Sequence, residues 1–208
     1  MGTKVEKNIR ISPKYKSSHW KELDLSSGDN LVWAKAVDIF YDRINGRFLA
    51  PVRSIEKHSD KNIRLFSGFV ILAIDCLLIE TLYQFYNGVD ETDRDHQRAF
   101  WHFFRDSPHF NPSFTRKISD MFYTHFRCGI LHQAQTKMSS QVRVDQDQMV
   151  QLVNSGDPKQ GLIIDRKKIH QALCNEIDDY KIRLKTPQMP KDQDLRNKFV
   201  NKMSFIAK

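Results

Sequence analysis

Phe69-Val70-Ile71-Leu72-Ala73-Ile74-Asp75-Cys76-Leu77-Leu78-Ile79-Glu80-Thr81-Leu82-Tyr83-Gln84-Phe85 is the most apolar run in the chain. Leu65, Phe69, Leu72, Cys76, Ile79 and Tyr83 recur at helical spacing, and Ile71, Ile74, Leu78, Leu82 and Phe85 widen that face almost all round. Such a helix is a central core element. Asn87-Gly88 ends it with residues that tolerate a left-handed backbone. Asp75, Glu80 and Gln84 interrupt the run, so no stretch of about 18 uncharged apolar residues exists and no membrane span is expected. Each buried carboxylate needs a partner, because an unpaired one costs several kcal/mol of desolvation, as a rough scale. At least one of the two should therefore meet a basic group.

Outward from this helix the pattern stays helical. Ser26-Ser27-Gly28-Asp29 closes a polar segment, residues 1–28, read as an arm ending in a helix cap. Leu31, Ala34, Val37, Phe40 and Ile44 continue as a helix that Pro51 kinks or ends. A short aromatic helix over 93–105 holds Phe100, Trp101, Phe103 and Phe104, with Phe110 beyond the Ser107-Pro108 break. Rings this dense are expected in the core rather than as base-stacking platforms. Asn111-Pro112 predicts a helix start, carrying Phe114, Ile118, Met121, Phe122, Phe126 and Ile130 to about Gln133. Residues 139–163 change character: 141–144 and 149–153 read as strands, with Gly156, Pro158 and Gly161 as turn residues. Asp165 caps a helix with Ile169, Leu173, Ile177, Tyr180 and Leu184 on one side. A last helix presents Leu195, Phe199 and Met203. The expected architecture is mainly α. A polar arm (1–28) precedes a helical core (29–138), and a small β-hairpin with C-terminal helices (139–208) packs on that core.

Composition narrows the function classes. The 208 residues are 40% hydrophobic and 28% charged, an ordinary globular balance. The three cysteines, Cys76, Cys128 and Cys174, form no disulfide framework, and a reducing cytoplasm is the expected setting. The net charge of +8 lies mostly on the flanks and makes nucleic-acid phosphate a plausible partner. Arg166, Lys167 and Lys168, at the start of a capped helix, are the candidate nucleic-acid-binding residues; a solvated face is their plainer reading. His125, Cys128 and His132 share one side of a helix but lack a fourth ligand, so no metal is expected. No phosphate-binding glycine loop, HExxH or GxSxG string occurs, and no cofactor is expected.

The chemistry-bearing stretch is Phe122-Tyr123-Thr124-His125-Phe126-Arg127-Cys128-Gly129-Ile130-Leu131-His132. Its Arg-x-x-x-x-His string, following a long apolar helix with acidic residues, resembles the HEPN superfamily. These are helical-bundle proteins that include many prokaryotic ribonucleases. The resemblance implies a metal-independent endoribonuclease in which His132 is the general base toward a ribose 2′-hydroxyl and Arg127 stabilises the phosphate. Glu80 would orient them, and the products would be a 2′,3′-cyclic phosphate and a 5′-hydroxyl. It also implies roles in defence or toxin–antitoxin systems, with a protein inhibitor as a further partner. Five residues on an α-helix separate Arg127 from His132 by about 140°, so one helix makes a poor site alone. A homodimer with the motif at its seam would answer that. Cys128 stands where active relatives often carry a polar residue, which favours the alternative: a non-catalytic module that binds RNA, a nucleotide or a partner protein. The plainer reading of His132 is a hydrogen-bonded core or interface residue, and that of Arg127 a solvated surface cation.

Overall fold

The computed structural model describes residues 8–153, 156–187 and 190–208. In chain order the helices are α1 (Ser17–Lys21), α2 (Asn30–Ile44), α3 (Ala50–Glu56), α4 (Lys61–Phe66), α5 (Gly68–Asn87), α6 (His96–Asp106), α7 (Arg116–Phe122) and α8 (Cys128–Gln133). Strands β1 (Gln141–Arg143), β2 (Val150–Val153) and β3 (Gly161–Asp165) follow, then α9 (Arg166–Lys185) and α10 (Pro190–Ile206). The chain is mainly helical, with one small sheet, and divides into two compact units.

Among the described residues, the first unit comprises 8–54, 85–90, 180–187 and 190–208. Asp29 caps α2 by accepting from the Leu31 amide at 2.7 Å. A π-helical turn, Asn45–Leu49, joins α2 to α3. The widened turn lets Pro51, which has no N–H and crowds the carbonyl four residues back, enter without ending the helix. Phe40, Phe85, Tyr180 and Phe199 are fully buried. Phe40 meets the rings of Phe85 and Phe199 at 4.9 and 5.8 Å. Residues 8–28 are less of an arm than their composition implies: Ile11 and Trp20 are buried, and Trp20 packs edge-on against Phe199. Gly88 has φ +66°, and a Cβ there would lie 2.8 Å from Lys198 Cα, so the stop after Asn87 admits only glycine.

Among the described residues, the second unit comprises 55–84, 91–153 and 156–179. Among the described residues α5 is the one helix long and apolar enough to cross a membrane by length and composition. One face of it is packed within protein, where Ile71, Leu72, Asp75, Cys76, Leu78, Ile79 and Leu82 are buried, while Val70 and Leu77 are exposed. The rings of Phe100, Phe104, Phe110, Phe114, Phe122 and Phe126 are all buried, with Phe104 stacked on Phe114 at 4.0 Å and edge-on to Phe122 at 5.3 Å. Each buried ring contributes roughly 1.5–3 kcal/mol of transfer free energy. Trp101 is the exception, half-exposed beneath the Arg116 guanidinium.

Two expectations fail here. Asn111 does not cap a helix; its side chain donates to the Arg105 carbonyl at 2.5 Å, and residues 107–114 remain in turns. Helix α7 begins instead at Arg116, with Thr115 as its cap. Burying both Phe110 and Phe114 against Phe104 holds the chain in a compact loop that a helix from Pro112 would straighten. The sheet also has three strands in the order β1-β3-β2, with β3 parallel to β1 and antiparallel to β2. The two predicted strands therefore do not pair with each other. Both pair with Gly161–Asp165, whose Gly161 had read as a turn residue. Leu162-Ile163-Ile164 is apolar without alternation, as a central strand covered on both faces must be. The expected hairpin of 141–144 with 149–153 therefore does not form, and the antiparallel pair in this sheet is β2 with β3.

Candidate functional site

The helix that carries Arg127 is not uniform. Between α7 and α8, Tyr123–Arg127 forms a π-helical turn that admits one extra residue per turn. Arg127 is the last residue of that turn. Its Nη2 reaches Glu80 Oε2 of α5 at 3.5 Å, and its guanidinium lies over the Tyr123 ring at 5.5 Å. The other Glu80 oxygen, Oε1, lies 2.9 Å from Nδ1 of His96, the first residue of α6. Both Glu80 and Arg127 are 18% exposed in their side chains, which leaves the pair partly open to solvent. It borders a cleft of about 290 Å³ walled by Cys76, Leu77, Thr81, Gln84 and Leu131. Burial is the main influence pushing the Tyr123 phenol above its ordinary range, with the neighbouring Cys128 adding to it.

His132 does not join this cluster. It is exposed in the last turn of α8, and residues 128–133 keep the ordinary α turn, so the angular separation from Arg127 persists. The wide turn ends at Arg127, so only the first residue of the motif belongs to it. Of the three sequence-predicted site residues the fold brings Glu80 and Arg127 together and leaves His132 at the surface of the same helix. His96, which sequence reading missed, takes the place beside Glu80.

His125 serves the fold. Its Nδ1 accepts a hydrogen bond at 2.8 Å from the Ser140 hydroxyl, whose oxygen in turn accepts from the Leu162 amide of β3 at 2.9 Å. Burial lowers its pKa and keeps it a neutral acceptor. Among the described residues no three His, Cys, Asp or Glu side chains gather as a metal site.

Gly129 explains how the chain leaves the motif. Ala134 has φ 53°, and the segment after it folds back so that the Lys137 amide donates to the His125 carbonyl at 3.0 Å. A Cβ on Gly129 would sit 2.5 Å from the Gln135 carbonyl oxygen. Gly129→Ala is expected to cost about 1–3 kcal/mol, in the range of overpacked sites, read as a lower urea midpoint. An unchanged midpoint would mean that the segment shifts freely.

The predicted nucleic-acid-binding trio separates as well. Arg166 is buried and paired with Glu56 at 2.7 Å. Lys167 is exposed and 2.9 Å from Asp145. Lys168 is exposed, while its backbone amide donates to the capping Asp165 at 2.9 Å. Beside them opens a cleft of about 820 Å³, to which α4 contributes Lys61 and Arg64 and β1 contributes Arg143. On its wall lies His170.

His170 belongs to a cluster without a sequence signature. Its Nδ1 is 2.6 Å from Oδ1 of the fully buried Asp75, and its Nε2 is 3.7 Å from Cys174 Sγ one helical turn on. Burial opposes the imidazolium, but the hydrogen bond and charge of Asp75 outweigh it, and the His170 pKa is pushed up to about 10. Asp75 Oδ2 has no hydrogen-bond partner among the described residues. Burial pushes the Asp75 carboxyl up, and the His170 hydrogen bond and charge, with the charge of Arg166, oppose that rise. The unpaired acid in the apolar helix was the one visible signal. Nothing pointed to a histidine 95 residues away.

Compared with family models, curated proteins and solved structures, the chain matches none.

Proposed function

We propose that this chain is a HEPN-type, metal-independent endoribonuclease acting as a homodimer with the motif helix at its seam. The observation that carries this reading is the meeting of Glu80 with Arg127 in an open cleft, five residues before an exposed histidine on the same helix. In this mechanism His132 takes the 2′-hydroxyl proton and the 2′-oxygen attacks phosphorus. The 5′-oxygen departs as a hydroxyl and a 2′,3′-cyclic phosphate remains. Arg127 stabilises the charge gathering on the phosphate oxygens, and Glu80 aims Arg127. The angular gap between Arg127 and His132 is closed by a second motif helix across the seam.

Exposed apolar residues support the seam. Leu77 and Leu131 flank the Glu80–Arg127 cleft at 45% and 49% exposure, and Val70, seven residues before Leu77 on the same helical face, is 54% exposed. Lys168 and the cations of the larger cleft, Lys61, Arg64 and Arg143, offer charge for the RNA backbone.

The test is cleavage of labelled single-stranded RNA in EDTA by wild type and His132→Ala. Cyclic-phosphate ends are expected from wild type, with a loss of about 10²–10⁴-fold in the variant, the usual worth of a general base. Undiminished cleavage by the variant overturns the assignment. The second reading is a non-catalytic module that binds RNA, a nucleotide or a partner protein. It is favoured by the match of Arg127's charge to Glu80 and by Cys128, and salt-sensitive RNA binding without product would select it.

A further inference from the structure

The Asp75–His170–Cys174 cluster lies outside the Arg127 site, and the proposed ribonuclease chemistry makes no use of it. Its geometry has the order of an activated nucleophile: a half-buried thiol, a histidine nitrogen 3.7 Å from the sulfur, and a buried carboxylate 2.6 Å from the other ring nitrogen. His170 and Cys174 share one face of α9 at i and i+4, so a rigid helix sets their separation. Asp75 sits on α5 and fixes the ring through Nδ1, which leaves Nε2 for the sulfur. With Oδ2 otherwise unpartnered, the carboxylate's need for a cation is met by the imidazolium.

We propose that Cys174 is a nucleophilic thiolate, activated by His170 and oriented through Asp75, whose substrate class is a small hydroperoxide. The thiol proton resides on His170 Nε2, and the thiolate attacks the nearer peroxide oxygen. The O–O bond breaks and the leaving oxygen takes that proton. Thiol plus hydroperoxide thus become sulfenic acid plus alcohol, or plus water from hydrogen peroxide. Sulfur gives up the two electrons that the peroxide gains. A small oxidant suits a half-buried sulfur.

The charges around His170 set the expected pH behaviour. Asp75 of α5 and Glu56 of α3 are the acids; Arg166 of its own helix is the adjacent cation, already matched by Glu56. The cleft beside His170 is also lined by Lys61 and Arg64 of α4, Arg143 of β1, and Lys167 of α9 paired with Asp145. The upward shift of His170 to about 10 keeps the imidazolium in place through neutral pH.

The experiment is site-resolved mass spectrometry of the full chain after a short exposure to iodoacetamide across pH 6–9, beside N-acetylcysteine. A second arm uses hydrogen peroxide followed by dimedone. An unperturbed thiol loses reactivity about tenfold per pH unit below its pKa near 8.5. Cys174 is expected to stay nearly flat to pH 6, at least tenfold above N-acetylcysteine there, and to acquire a dimedone adduct. His170→Gln, and more weakly Asp75→Asn, should restore the steep profile. A steep Cys174 profile in wild type, or a flat one that survives His170→Gln, overturns the proposal. So does peroxide treatment that leaves Cys174 untagged. The wild-type profile decides the matter alone should a variant not fold.

Discussion

Arg127→Ala is expected to lower RNA cleavage by about 10²–10³-fold, the scale of removing one oriented donor from a transition state. Arg127→Lys should recover little. A lysine is a point charge on a flexible stem and cannot offer the planar fork that spans two phosphate oxygens. Glu80→Gln is expected to cost less, about tenfold. The Glu80–Arg127 contact of 3.5 Å is long and partly solvated, so its loss frees Arg127 without removing it. The ordering of the three variants in single-turnover assays is the measurement. Equal loss from Glu80→Gln and Arg127→Ala would make the carboxylate a direct participant. No loss from Arg127→Ala would remove the phosphate-stabilising role.

Asp75→Ala is expected to be the most destabilising single change in the α5–α9 contact, by about 3–5 kcal/mol, as for a buried pair that loses one partner. Replacing both residues with apolar ones, as in Asp75→Leu with His170→Met, should cost less than Asp75→Ala alone, since neither charge is then stranded. The pair also gives stability a pH slope. His170 has an ordinary pKa of 6.5 and a folded one near 10, so between these values the folded chain binds more protons than the unfolded. Its contribution is complete below about pH 6.5 and is lost as pH rises through about 10. Urea midpoints should therefore fall over that window in wild type and fall less in His170→Gln. Identical slopes in the two proteins would mean that the imidazole titrates alike folded and unfolded.

The helical framework was legible because its signals are local. The all-round apolar face of α5, the capping by Asp29 and Asp165, and the glycine stop at Gly88 each act within a turn or two of chain. The third strand was not legible, since Leu162-Ile163-Ile164 has neither period and is identified as a strand only by its neighbours. Asn111-Pro112 carried a true start signal that the Phe110–Phe104–Phe114 packing overrode. At the site, the need of Asp75 and Glu80 for cations followed from desolvation alone. Which cations answered depended on tertiary placement: Arg127 lies 47 residues from Glu80, His96 only 16, and His170 lies 95 from Asp75.

The π turn at Tyr123–Arg127 works as a phase setting between two halves of one helix. Upstream, Ser119 and Phe122 fix the rotation of the rod in the aromatic core; downstream, everything inherits one surplus residue. Deleting a single residue there would let the turn close to α and swing Arg127 and all that follows by about 100°, out of reach of Glu80. The string Arg-x-x-x-x-His would survive such a deletion intact. A pattern that recognises this site must therefore count from the phenylalanines that anchor the rod, because the interval between anchor and arginine, more than that between arginine and histidine, decides where the charge points.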